Sequence, residues 1–363
     1  MVPDAVDLAR VRRALVVKLR HHGDVLLSSP VFSVLRAHAP QLEVDALVYD
    51  DTREMLTLHP AIAEVHAVGR GWRALSIPAR LAREWRLLAA LRERRYDLLV
   101  SLTEHPRGAW LARLVGARHA VAPEQPHRGR LWARSFTHLY RLPRNGRRHA
   151  VEVNLDALRR IGVYPDEGER GLVLVPGDEA EATIRTRLSA LGLAERGFVH
   201  LHPASRWRFK CWPAAKTAAL ADALARDGER VVLTAAPSEP ELELVRAIRA
   251  ACTSETIDLS GQLTLKQLAA LAGRAKLFVG VDSAPMHIAA AMGTPVVALF
   301  GPSGELEWGP WRVAHRVVAS DAHPCRPCGN DGCGGGKVSE CLTRLPVERV
   351  HAAARELLAS ASA

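Results

Sequence analysis

Long apolar runs are missing from this chain of 363 residues. No stretch reaches the roughly 18 consecutive apolar residues of a transmembrane helix, so none is expected. The opening segment, Met1 to Arg13, lacks the apolar centre of a secretory signal, and a cytoplasmic location is the expectation. Aromatic residues make up only 5%. With Ala, Leu and Val abundant instead, that scarcity speaks for helices packed on a Val-rich sheet rather than an all-β protein. No G-x-G-x-x-G fingerprint occurs, so a dinucleotide site is not supported. There is no compact Lys/Arg tract, no RNA-binding signature and no zinc-finger spacing with histidines, so nucleic acid is not expected as a partner.

Apolar residues make up 48% of the chain, ample for two buried cores. At ~100–200 residues per domain, the length suggests two domains. The 49 Lys and Arg against 39 Asp and Glu leave a net charge of +10, mostly as widely spread Arg. A basic surface attracts nucleic acid, an anionic membrane or a phosphorylated substrate; an Arg-rich codon habit accounts for it equally. Of six cysteines, Cys211 and Cys252 stand apart, whereas Cys325, Cys328, Cys333 and Cys341 cluster near the end. Without a secretory signal, thiols or a metal site are preferred over a disulfide framework.

Apolar runs alternate with helical patterns along the first half. Strands are expected at Ala14–Leu19, Val44–Tyr49, Glu64–Val68, Asp97–Leu102 and His119–Ala122. Helices are expected at Asp24–His38, Ile77–Arg95 and Pro106–Val115. The Pro-, Gly- and charge-rich stretch Tyr164–Gly171 reads as a linker. The alternation then restarts at Gly197–His202 and runs through Pro295–Phe300. Two successive α/β sheets imply two Rossmann-like domains, residues 1–168 and 169–363, with parallel sheets facing across a cleft. In such sheets ligands bind beyond the carboxyl ends of the strands.

Three motifs follow strands at that edge. In the first, Leu19-Arg-His-His-Gly-Asp-Val-Leu26, Gly23 lets the backbone approach a ligand and the helix start favours anions. Asp24 there either caps the helix or faces a ligand. The second, His202-Pro-Ala-Ser-Arg-Trp-Arg-Phe-Lys-Cys-Trp-Pro213, places Ser205, Arg206, Arg208 and Lys210 in one loop. It is either a phosphate cradle or a solvated basic loop with its tryptophans on the core. In the third, Phe278-Val-Gly-Val-Asp-Ser-Ala-Pro-Met-His-Ile-Ala289, a buried strand ends at Asp282, and Ser283 and Pro285 suit a helix start. That start can hold a diphosphate, or it is only a well-capped helix with a buried His287.

These residues resemble the lipopolysaccharide core heptosyltransferases, inverting glycosyltransferases of the GT-B fold. The resemblance spans about Arg13 to Leu358, and the tail PCRPCGNDGCGGGKVSECL is most similar to the heptosyltransferase III branch. It implies transfer of a heptose from ADP-heptose to the lipopolysaccharide inner core, with no further cofactor. It makes Asp24 the general base, with His22 and Gly23 on the acceptor side. Ser205 and Lys210 would contact the donor diphosphate, Asp282 the donor heptose, and Ser283, Ala284 and His287 the diphosphate side. Glu239 falls loosely where a carboxylate meets the nucleotide ribose. Ala284 departs from the family's usual Gly. No Asp-x-Asp motif follows a strand, so a metal-independent reaction is implied, with Arg206, Arg208 and Lys210 stabilising the leaving diphosphate. The acceptor would be lipid-linked, placing the enzyme peripherally on the anionic cytoplasmic face of the inner membrane.

Two other readings stay open. The implied GT-B fold hosts several chemistries, so another GT-B glycosyltransferase or a sugar-nucleotide epimerase is the alternative enzyme. A metal- or redox-binding module could use Cys325, Cys328, Cys333 and Cys341 to hold a structural zinc ion, although their spacing is not the paired C-x₂-C signature.

Overall fold

A computed structural model of the chain describes residues 4–143 and 148–360. The chain divides into two compact units, residues 1–175 and 176–363.

The first unit holds strands β1 (Arg13–Val17), β2 (Glu43–Tyr49), β3 (Val65–Val68), β4 (Leu98–Ser101), β5 (His119–Pro123) and β6 (His138–Tyr140). Its helices are α1 (His22–Leu26), α2 (Ser29–His38), α3 (Ile77–Glu93), α4 (Arg107–Val115), α5 (Gly129–Ala133) and α6 (Ala150–Arg159). The strands are parallel, in the order β3-β2-β1-β4-β5-β6. The second unit holds β7 (Phe198–His202), β8 (Arg230–Leu233), β9 (Ile257–Asp258), β10 (Leu277–Val281), β11 (Val296–Phe300) and β12 (His315–Ala319). Around them lie α7 (Asp178–Ala190), α8 (Ala214–Arg226), α9 (Glu239–Ala251), α10 (Leu265–Arg274), α11 (Ala284–Ala291), α12 (Glu305–Trp308), α13 (Glu340–Thr343) and α14 (Val347–Ser360). This sheet is also parallel, in the order β12-β11-β10-β7-β8-β9.

Each unit therefore has the doubly wound order in which the winding direction reverses between its first and fourth strands. Ligands of such sheets bind in the crevice at that reversal. It lies between β1 and β4 in the first unit and between β7 and β10 in the second.

The central strands are continuous apolar runs because both faces are covered. Ala14 to Val17 are fully buried, as are Leu98 to Val100 and Leu277 to Phe278. In the second unit one core gathers Val199, Leu201 and Val279 with α8, α9 and α14, and another gathers Phe198 and Val232 with α7 and α10. Local signals set the helix ends. Thr264 accepts from the Gln267 amide at 3.1 Å, and the Gln267 side chain accepts from the Thr264 amide at 3.0 Å, a capping box that starts α10.

Several expectations need correction. The helix read as Asp24–His38 is two helices, because the chain turns at Leu27–Ser28 and Pro30 sits in the first turn of α2. The edge strands β6 and β12 were not expected. The Tyr164–Gly171 stretch is not an open linker. Its turn Glu167–Arg170 carries a capping box from Asp166, and Glu169 bonds His38 of α2 at 3.1 Å.

Candidate active site

In the second unit, β7 ends at His202 and the loop to α8 turns through a 3-10 segment at Arg208–Lys210. That turn brings the Lys210 ammonium to the Asp282 carboxylate, Nζ to Oδ2 2.5 Å. The pair spans the β7/β10 reversal. Asp282 is only 7% exposed and Lys210 22%, so the ion pair lies largely out of water. Ser205 is nearly buried, and its hydroxyl accepts from the Trp207 amide at 3.3 Å. Arg206 and Arg208 lie on the exposed side of the loop, with the Arg206 guanidinium over the Trp207 ring. Of the loop's three predicted cations, only Lys210 is brought to the buried carboxylate.

α11 begins directly after Asp282, with Ser283 at its N-cap. The expected capping bond is absent: the Ser283 hydroxyl turns back to donate to the Val281 carbonyl at 3.2 Å. The first amides of α11, at Ala284 and beyond, therefore have no side-chain cap, which is the arrangement that suits an anion. His287 is buried one turn further on. Glu239 stands in the first turn of α9, after β8, with an exposed side chain paired to Arg246.

Three buried polar residues at β7 and the end of β8 were missed by the sequence reading. The Thr234 hydroxyl lies 2.7 Å from His200 Nε2 and 2.8 Å from His202 Nδ1. One hydroxyl has one proton to give, so one imidazole must donate to it. Burial holds both imidazoles down to a pKa of about 3, so both are neutral near pH 7. The sequence signal was two histidines two residues apart on a buried strand, which places both on one face.

In the first unit, Asp24 lies in the first turn of α1, but the N-cap is His21. The capping alternative for Asp24 is thereby removed. Among the described residues its half-buried carboxylate accepts no hydrogen bond. Gly23 closes the turn by accepting from the Leu27 amide at 2.9 Å, and His22 Nε2 lies 2.8 Å from the Asp51 carbonyl.

Lys18 also escaped the sequence reading, although a lysine ending an apolar strand was its signal. Its ammonium donates to Asn154 Oδ1 at 2.9 Å and, across the β1/β4 reversal, to the Leu102 carbonyl at 3.2 Å. Asn154 in turn donates to the Leu27 carbonyl at 3.0 Å, tying Lys18 to the end of the α1 turn. Burial pulls the ammonium down to about 8, against the upward pull of the Asp24 and Glu104 carboxylates. At the end of β4, burial and then Arg107, Arg73, Arg128 and Arg20 lower the His105 pKa, so four guanidiniums act on one point of that edge.

The tail thiols Cys325, Cys328 and Cys333 are exposed and Cys341 is buried. Burial raises the Cys341 pKa, as do the three neighbouring thiols, while Arg326 opposes them. Among the described residues only Asp45, Glu64 and His66 bring three ligand atoms within 4.8 Å of one another. The four thiols do not gather that closely. At Asp45 the carboxylate is already taken by Arg94 at 2.7 and 3.1 Å and by the Tyr96 hydroxyl at 2.7 Å.

Comparison with known proteins identifies the family and the fold. Residues 84–338 match the model of glycosyltransferase family 9 (heptosyltransferase). The chain is 36% identical to lipopolysaccharide heptosyltransferase 3 of Escherichia coli over 295 residues, covering 81% of this chain and 84% of that one. Its fold superposes on a family 9 glycosyltransferase from Veillonella parvula with a TM-score of 0.84 at 24% identity, covering 98% and 99% of the two chains. E. coli ADP-heptose lipopolysaccharide heptosyltransferase II gives a TM-score of 0.76 at 23% identity, covering 97% and 100%. Two parallel doubly wound sheets with these neighbours make a GT-B fold, and the chain belongs to glycosyltransferase family 9, the heptosyltransferases.

Proposed function

We propose that this enzyme transfers a heptose from ADP-heptose to a sugar of the lipopolysaccharide inner core, in one inverting displacement. The 36% identity to E. coli lipopolysaccharide heptosyltransferase 3 supports the acceptor class. The observation that carries the site is the Lys210–Asp282 pair beside the uncapped start of α11, at the β7/β10 reversal.

The steps divide between the units. In the second, the donor diphosphate draws Lys210 from Asp282 and settles against the α11 amides, with Ser205 and the Arg206 and Arg208 side of the loop adding donors. Asp282, released from the lysine, accepts from hydroxyls of the heptose. In the first, Asp24 takes the proton from the acceptor hydroxyl as that oxygen bonds the anomeric carbon. The bond from that carbon to the diphosphate oxygen breaks, and ADP leaves with the electron pair. Lys210 and the helix amides hold the charge that develops. One base suffices, because the acceptor hydroxyl takes the place of water.

The test is transfer from ADP-heptose to truncated core acceptors, with the product linkage read by mass spectrometry and NMR. Transfer with inverted anomeric configuration is expected. Conversion of the sugar nucleotide without any acceptor would instead establish an epimerase.

A further inference from the structure

The first unit carries an apolar stripe that the transfer chemistry does not use. On α3, Ile77, Leu81 and Trp85 recur every fourth residue, so they share one side of the helix. They are 74%, 62% and 69% exposed. Only Leu91, near the other end of α3, is fully buried, with Leu87 and Leu88 partly packed on the core. The leading half of the helix therefore presents its apolar side to solvent. Next to it, α4 exposes Trp110 and Leu114, again four residues apart, and α5 exposes Leu131.

Side-chain bonds tie the three helices to one another. Arg107 of α4 grips the Glu84 carboxylate of α3 through both guanidinium nitrogens. Arg113 of α4 donates to the Leu131 carbonyl of α5 at 2.8 Å. Exposed apolar side chains scattered singly need no explanation, but six of them gathered on three linked helices point to an interaction surface.

Charge identifies the occupant. Between residues 70 and 134 stand fourteen arginines and no lysine, against five carboxylates. That segment holds nearly all of the chain's net charge of +10. Arg80, Arg83 and Arg86 interleave with the apolar stripe and are exposed. Trp and Leu on one side of a helix, with arginines around them, match a bilayer surface whose headgroups are anionic. Apolar tips enter the headgroup boundary while long basic stems reach phosphates. Among the described residues no helix is long and apolar enough to cross a membrane, so the contact lies in the surface plane.

We propose that the α3–α4–α5 face docks this enzyme on an anionic lipid bilayer. The inference deepens the reading of a lipopolysaccharide acceptor and rests on it. The test is flotation of the full chain with phosphatidylglycerol-containing vesicles and with phosphatidylcholine vesicles, at low and high salt. Binding is expected to the anionic vesicles, weakening as salt rises. The pair Leu81→Ser/Trp85→Ser should lower it about tenfold, from lost apolar burial. The pair Arg80→Glu/Arg86→Glu should lower it on the order of tenfold or more. All four positions are exposed, and circular dichroism verifies the fold. Transfer to a deacylated, soluble acceptor should be unchanged by Leu81→Ser/Trp85→Ser.

Three results would overturn the proposal. Anionic-vesicle binding could be insensitive to both pairs. A chain active on the soluble acceptor could bind no vesicle at any salt. Sedimentation could show a dimer that Leu81→Ser/Trp85→Ser dissolves, assigning the stripe to a second copy of the chain. Vesicle binding without sugar transfer would instead reject the proposed activity and leave the docking face standing.

Discussion

At the scale of single residues, Asp24 and Lys210 make separable predictions. Asp24→Asn should reduce transfer roughly 10²–10⁴-fold, the usual scale for a general base. Its affinity for ADP should stay at the parent value, because the proposed role of Asp24 is with the acceptor hydroxyl, which ADP lacks. Near-parental turnover in purified Asp24→Asn would remove it from that role. Lys210→Ala should weaken ADP binding about 10- to 100-fold, as expected for a charged contact of ~1.5–3 kcal/mol. It should also lower the thermal midpoint, since it leaves Asp282 nearly buried and unpaired. Adding Asp282→Ala should recover part of that midpoint but none of the affinity. Calorimetry and a melting curve on the same samples separate the two effects. The histidine pair predicts a pH dependence. Unfolded imidazoles take up protons near 6.5, while folded His200 and His202 resist until about 3. Stability should therefore fall as pH drops through that window and level off below it. His202→Gln should flatten part of the slope, and an unchanged slope would show that His202 titrates normally.

At the scale of elements, the junction of β7 and β10 is the most constrained. Gly280 pairs with His202, and a Cβ there would stand 2.8 Å from the His202 carbonyl and 2.7 Å from the Phe278 ring. Gly280→Ala should wedge these strands apart at the reversal, costing about 1–3 kcal/mol. Loss of thermal midpoint and of ADP affinity together is expected. Parental ADP affinity in Gly280→Ala would show that the strand spacing does not set the site. The buried strands were legible because Ala-Leu-Val-Val and Leu-Phe-Val-Gly-Val are apolar runs of strand length. The edge strands β6 and β12 were not, because β6 has only three residues and β12 opens with His315-Arg316. The break between α1 and α2 had its signal in Pro30, masked by the apolar spacing that continues past it. The motif positions at strand ends were legible, whereas the pairings were not. Lys210 meets Asp282 across 72 residues and Lys18 meets Asn154 across 136, distances over which only the folded topology decides.

At the scale of the whole molecule, two units with their own cores should unfold as two calorimetric transitions. ADP at about a hundredfold excess over its Kd adds ~2.7 kcal/mol to whatever binds it. The expected result is an upward shift of the second unit's transition alone. A single transition that moves as one would show that the units are energetically fused. The composition of the α3–α5 segment carries a further consequence. Beside His105, His119 and His127 its basic groups are all guanidinium, and a guanidinium keeps its proton at any pH a folded protein survives. Lysine acylation, which erases charge elsewhere, finds no target between residues 70 and 134. Above the histidine range, from about pH 8 to 10, attachment to an anionic surface should then be flat, yielding only to ionic strength and to the lipids on offer. Such a face works as a permanent adhesive rather than a latch, and the membrane's composition, not the protein's protonation, sets where the molecule settles.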